Sequence, residues 1–179
     1  VCGVEAEGLT FDFPNAHQHK KIVMNKMRDG IAGLMKKYKV DVVAGEAKLL
    51  PNSQVEISGE SHEATDVLLC TGSSPAIPPI PGVDLENVVD SSGILIRETL
   101  PNHLVVVGGG VIGCECACMY ASVGVPVTVL EAMPEICPNL DTEISASLRE
   151  GLAKKGVSFI LEAKVESIRA DKVSYVDDS

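Results

Sequence analysis

The residues with the strongest claim to chemistry are Gly108, Gly109, Gly110, Val111, Ile112 and Gly113, which carry the spacing G-x-G-x-x-G. Glycines at that spacing bind the pyrophosphate of a dinucleotide when each fills a role. Gly108 permits a tight turn, Gly110 keeps a Cβ out of the path of the phosphates, and Gly113 lets a helix pack closely on a strand. The free amides at the helix start then face the phosphate charge. Glu131 follows 18 residues after Gly113. A carboxylate there accepts hydrogen bonds from both ribose hydroxyls and repels a 2′-phosphate. No Lys or Arg stands between Glu131 and Arg149, so the expected cofactor is NAD rather than NADP. The competing reading is a glycine turn that merely packs helix on sheet.

These roles require a strand before the glycines, a helix after them and a second strand ending at the acid. Leu104–Val107 reads as a buried strand, residues 111–123 as a helix and 125–130 as a second strand. Residues 141–155 read as another helix, with the stripe Leu140, Ile144, Leu148, Leu152 and the stop Lys154-Lys155-Gly156. Residues 157–161, 165–168 and 173–176 are strand candidates. Strand and helix in alternation predict an α/β parallel sheet with right-handed crossovers.

Before Pro101 the pattern differs. Residues 16–38 predict an amphipathic helix whose stripe, including Met24, Met27, Ile31, Leu34 and Met35, is expected to pack in a core. Val40, Val42 and Val43 predict a short strand, and Ala47–Leu50 and Gln54–Ile57 flank the turn signal Pro51-Asn52-Ser53. Residues 64–70 predict a strand buried on both faces through Val67-Leu68-Leu69. Pro75, Pro78, Pro79 and Pro81 then force an extended crossover ending near Leu100.

The triplet Cys114, Cys116, Cys118 invites a metal reading. On a helix Cys114 and Cys118 share a face while Cys116 points nearly opposite, so three thiolates do not converge on one ion, and no metal is expected. His17 and His19 are expected to be solvated. Glu115, in the first turn of the glycine-led helix, is either a favourable first-turn acid or a group near the nicotinamide.

A formal charge of −10 and 3% aromatic residues without Trp argue against nucleic acid, which requires clustered cations or stacking platforms. Hydrophobic residues at 45% with mean hydropathy +0.19 predict a packed core. The apolar run 104–114 is broken by glycines and too short to cross a bilayer. Six cysteines are too sparse for a secreted disulfide scaffold, so a cytoplasmic setting is expected. The opening Val1-Cys2-Gly3-Val4-Glu5 lacks a basic start and an initiator Met, so a piece of a longer chain is expected.

The segment Leu68-Leu69-Cys70-Thr71-Gly72-Ser73-Ser74-Pro75 resembles the A-T-G-S-x-P segment of the flavin-dependent pyridine nucleotide-disulfide oxidoreductases. Gly108-Gly109-Gly110-Val111-Ile112-Gly113-Cys114-Glu115 is similar to their G-x-G-x-I-G-x-E. With Gly45-Glu46-Ala47-Lys48 before them and Asp90-Ser91-Ser92 between them, order and spacing resemble the dihydrolipoyl dehydrogenases in that family. The resemblance implies that residues 1–100 are the later half of an FAD-binding domain with a β-meander, and 101–179 a truncated Rossmann-like NAD-binding domain. It implies that Ala47, Thr71, Gly72 and Ser73 line FAD, and that residues 108–115 hold NAD. It gives the ribose to Glu131 and the adenine edge to Val165. Partners implied for the whole enzyme are dihydrolipoamide or a lipoyl-bearing protein and a second copy in a homodimer. The resemblance implies that the family's redox cysteine pair would lie before Val1, which leaves out Cys2, so no catalytic residue is expected in this chain and the isolated chain is expected to be inactive. Alternatives are an NADH oxidase-type flavoprotein or a non-catalytic NAD-binding module; mercuric and glutathione reductases are disfavoured by the missing 2′-phosphate partner.

Overall fold

The computed structural model describes residues 7–8 and 10–177, so Cys2 lies outside the described residues. In chain order the elements are α1 (Phe13–Lys37), β1 (Ala47–Leu50), β2 (Gln54–Ile57), β3 (Glu60–Glu63), α2 (Ser91–Ile96), β4 (Leu104–Val107), α3 (Val111–Ser122), β5 (Val127–Leu130), α4 (Thr142–Ala153), β6 (Val157–Ile160), β7 (Lys164–Ile168) and β8 (Val173–Val176). The chain forms two compact units, Gln18–Ser74, and Val1–His17 together with Pro75–Ser179.

In the larger unit β4, β5 and β6 form a parallel sheet in that order. Parallel neighbours need a crossover, which α3 and α4 provide. The core lies where these helices meet the sheet: Ala117 and Tyr120 of α3, Val127 and Val129 of β5, Val157 of β6 and Leu152 of α4 are all buried. Each fully buried aliphatic side chain stabilises the fold by roughly 1.5–3 kcal/mol. Tyr120 brings a hydroxyl into this core and satisfies it on Ile94 O at 3.2 Å. Short α2 is held by Asp90, whose carboxylate accepts from the amides of Ser92 and Gly93 at 3.0 and 2.7 Å. β7 and β8 form a separate antiparallel pair.

In the smaller unit β1, β2 and β3 make an antiparallel meander. The strand Glu60–Glu63 was not expected, since its residues are polar and exposed. Its register against β2 supplies what its composition does not.

Several expectations are corrected. Residues 64–70 form no strand, and Leu68 and Leu69 are 86% and 65% exposed. A strand buried on both faces needs neighbours for its ladder, and no described strand pairs with this segment. Val40–Val43 is likewise irregular and exposed. Met24, Met27, Ile31 and Leu34 on α1 are exposed rather than in a core. β4 is an edge strand with one open face, so Val105 and Val107 are exposed while Leu104 and Val106 are half-buried. On α4 the packed face holds Ser145 and Leu152 rather than Ile144 and Leu148, which are exposed. On that packed face Ser145 Oγ donates to Cys137 O at 3.2 Å. His17 is buried, edge-on to Phe13, with Nε2 3.9 Å from Glu98.

Candidate functional site

The glycine turn leaves the end of β4 and closes on the end of β5. Gly108 N donates to Leu130 O at 2.8 Å, extending the parallel ladder by one bond. Its φ of +104° is a left-handed conformation that favours glycine. Gly110 is the N-cap of α3 and supplies no side-chain cap. The first amide with an intrahelical acceptor is that of Cys114, on Gly110 O at 2.9 Å. The amides of Val111, Ile112 and Gly113 come before it, the orphan donors of a helix start.

Space separates Gly113 from Gly110. A Cβ on Gly113 would collide with Gly108 O, so the helix sits against the turn too closely for any side chain. A Cβ on Gly110 would meet nothing within 4 Å. Gly110 therefore faces open space, and its lack of a side chain is not needed for packing. Val111 and Ile112 beside it are exposed, as is Glu115.

Glu131 is buried, and its carboxylate is already engaged. Oε2 accepts from Gly109 N at 2.6 Å and Oε1 from Met133 N at 2.8 Å. Its backbone is fixed as well, with Glu131 N on Ile160 O and Ala163 N on Glu131 O, both at 2.9 Å. The acid thus joins the first strand's turn to the chain leaving the second strand. A carboxylate offers about four acceptor positions, so two remain for hydroxyl donors.

Beneath Gly109 lie residues that the spacing did not reveal. Ile136 is fully buried against it, within 2.9 Å of where a Cβ would stand. Gly109 O accepts from Cys137 N at 2.9 Å and from Cys114 Sγ at 3.3 Å. Burial first, and then the neighbouring Cys137, pushes the Cys114 thiol up to about 12. Segment 132–140 reads as loop in the sequence, and no periodicity marks Ile136 or Cys137 as core. Glu135 in that loop makes a bidentate pair with Arg149 of α4 at 2.8 and 3.0 Å. The hydrogen bond from Arg149 holds the Glu135 carboxyl below its usual range.

Residues 108–115 and Glu131 are therefore brought together at one end of the parallel sheet. Val165 is half-buried in β7, opposite Tyr175. Ala47 opens β1, and Thr71, Gly72 and Ser73 form exposed irregular chain with Gly72 at φ +74°, all in the Gln18–Ser74 unit. Among the described residues, no three His, Cys, Asp or Glu side chains are grouped to hold a metal. No described helix is long and apolar enough to cross a membrane.

Comparison with known proteins gives a consistent family. A dihydrolipoyl dehydrogenase of Bacillus subtilis (strain 168) is 38% identical over 176 residues, covering 91% of this chain and 37% of its own length. One from Acholeplasma laidlawii is 35% identical over 178 residues, covering 97% of this chain and 53% of its own length. The solved Cu(II) complex of the HOCl-induced flavoprotein disulfide reductase RclA from Escherichia coli matches with TM-score 0.80 and 34% identity, over 94% of this chain and 40% of that one. The chain thus spans between about a third and half of the length of these relatives. The family model for pyridine nucleotide-disulphide oxidoreductases matches residues 5–178, and the chain belongs to that family.

Proposed function

We propose that this chain is the NAD-binding part, with a portion of the FAD-binding part, of a dihydrolipoyl dehydrogenase-type oxidoreductase. Residues 1–100 belong to the FAD side and its crossover, and 101–179 to the NAD side. The observation that carries the reading is the pairing of Gly109 N with Glu131 Oε2 beneath an open Gly110. That arrangement leaves amides for phosphate and acceptor positions for a ribose, and it leaves a Cβ-free approach between them.

The residues present fit a dinucleotide. Val111, Ile112 and Gly113 would meet the pyrophosphate, Glu131 the adenosine ribose and Val165 the adenine edge, with Glu115 toward the nicotinamide. Bound NAD would supply a hydride-accepting ring, and FAD a two-electron relay from the dithiol to that ring. This chain's own share is binding and orientation: the helix start fixes the phosphates, and Glu131 selects a free 2′-hydroxyl by repelling a 2′-phosphate. On the flavin side Ala47, Thr71, Gly72 and Ser73 would line FAD; Gly72 has open space where a Cβ would stand. The dithiol in this reading is dihydrolipoamide, free or on a lipoyl-bearing protein. The whole enzyme would be a cytoplasmic homodimer, and the isolated chain would not turn over substrate.

The likeness to RclA favours a second reading, a flavoprotein disulfide reductase acting on another acceptor. Titration of the purified chain with NAD and NADP tests the nucleotide assignment. A lipoamide assay of the whole protein against other disulfides separates the two readings. Tighter binding of NADP would remove the role given to Glu131.

A further inference from the structure

Cys114, at the inner face of the segment 108–115, and Cys137 form a buried dithiol distinct from the family's redox pair. They are 4% and 3% exposed, and their sulfurs lie 4.0 Å apart. Both thiols are directed at one acceptor, Gly109 O, at 3.3 and 3.7 Å. Cys137 also donates its backbone amide to that oxygen at 2.9 Å. It has φ +47°, a left-handed conformation in a loop residue. One carbonyl of the glycine turn thus accepts from the Cys137 amide and the Cys114 thiol, with the single Cys137 S–H placed to donate either to it or to Cys114 Sγ, while the amide of the same residue donates to Glu131.

We propose that Cys114 and Cys137 are a disulfide-forming site whose oxidation lowers dinucleotide affinity at the adjacent turn. The coupling rests on the nucleotide reading above; the disulfide itself does not. The sulfurs must approach by about 2 Å to bond. Closure removes both S–H groups from beside Gly109 O, the Cys114 donor among them, and draws residue 137 toward the first turn of α3. The oxidant is a hydroperoxide. The thiolate of one cysteine attacks the peroxide, the O–O bond breaks, and a sulfenic acid and an alcohol or water result. The second thiol then displaces the hydroxyl as water, forming the S–S bond. Two S–H bonds are lost, the sulfurs together give up two electrons, and the peroxide accepts them.

Burial sets the rate. The neutral form of the Cys114 thiol is favoured, and only the thiolate attacks, so oxidation is slow while the loop covers the pair. A dinucleotide held on the turn should slow it further by keeping the loop closed over the pair. Separately, the oxidised form should bind a dinucleotide less tightly, and at equilibrium a bound dinucleotide then disfavours the disulfide by the same factor, since linkage between two sites is reciprocal.

The test uses hydrogen peroxide on the purified chain, with and without NAD, followed by alkylation and cleavage after glutamate. Glu98, Glu115, Glu131, Glu135 and Glu143 place Cys114 in peptide 99–115, Cys116 and Cys118 in 116–131, and Cys137 in 136–143. The expected result is a linked 99–115/136–143 pair, formed more slowly under NAD, with affinity for NAD lowered on the order of tenfold. Dithiothreitol should restore it, which separates the effect from methionine sulfoxide. Cys137→Ser should give the same affinity before and after peroxide; Cys137→Ala serves if the serine variant does not fold. Absence of the linked pair after exposed Cys70 has been oxidised would overturn the site. A linked pair with unchanged affinity would overturn the coupling. If the reduced chain binds no dinucleotide, the functional reading fails while the peptide map still decides the disulfide.

Discussion

Glu131 Oε2 accepts the Gly109 amide at 2.6 Å while Oε1 takes the Met133 amide at 2.8 Å, so one buried carboxylate ties together the turn after β4 and the chain leaving β5. The same side chain therefore has two duties, holding the turn and offering acceptors to a ribose. Glu131→Gln puts an amide NH₂ against one of the two donors and leaves it unpaired. The expected loss is about 1–3 kcal/mol of stability, read by urea denaturation, together with weaker NAD binding. Glu131→Ala should cost at least as much.

Gly110 and Gly113 separate binding from folding. Gly110→Ala places a methyl group in open space at an ordinary φ of −69°, so stability should change by less than about 1 kcal/mol while NAD binding falls sharply. Gly113→Ala drives a methyl into Gly108 O and should destabilise the chain by about 1–3 kcal/mol. Parallel thermal melts and NAD titrations of the two variants check both statements.

The βαβ unit was legible because its signals are local. Glycine spacing, a β-branched run before it and an acid after the second strand all act within 28 residues, Leu104 to Glu131. The meander was legible at Pro51-Asn52-Ser53 but not at β3, whose Glu60-Ser61-His62-Glu63 becomes strand through pairing with β2. Composition misled at Leu68 and Leu69, where apolarity without a pairing neighbour leaves the chain irregular. It misled on α4 too, where of the stripe only Leu152 is buried, and Ser145, hydrogen-bonded to Cys137 O, shares its face. The contact of Cys114 with Cys137 spans 23 residues. No spacing rule foresees it, because loop 132–140 must first fold back under Gly109.

Thiol reactivity should follow burial. With the Cys114 thiol raised to about 12, iodoacetamide at neutral pH should label exposed Cys70 well before Cys114. The sign of the stability effect follows: the neutral thiol is the folded form. Stability from this site is full below the unfolded thiol value of about 8.5 and is lost as pH rises from there toward 12. Urea midpoints at increasing alkaline pH, compared with those of Cys114→Ala, read that slope.

The Glu135–Arg149 pair has the opposite sign. Its carboxyl is held below the usual range by the guanidinium, so its contribution is present above the unfolded value of about 4.3 and disappears as pH falls through the lowered one. Glu135 is partly and Arg149 one-third exposed, and the pair should contribute no more than about 1 kcal/mol. Glu135→Gln should flatten the acid limb of the stability curve by that amount, and it should do so less in high salt.

The most direct test of the account is calorimetric titration of the purified chain with NAD and NADP, repeated on Gly110→Ala. Saturable one-to-one binding of NAD, weaker binding of NADP, and loss of NAD binding in the folded Gly110→Ala chain are expected. Binding of NADP at least as tight as NAD, or NAD binding that Gly110→Ala leaves intact, would contradict it.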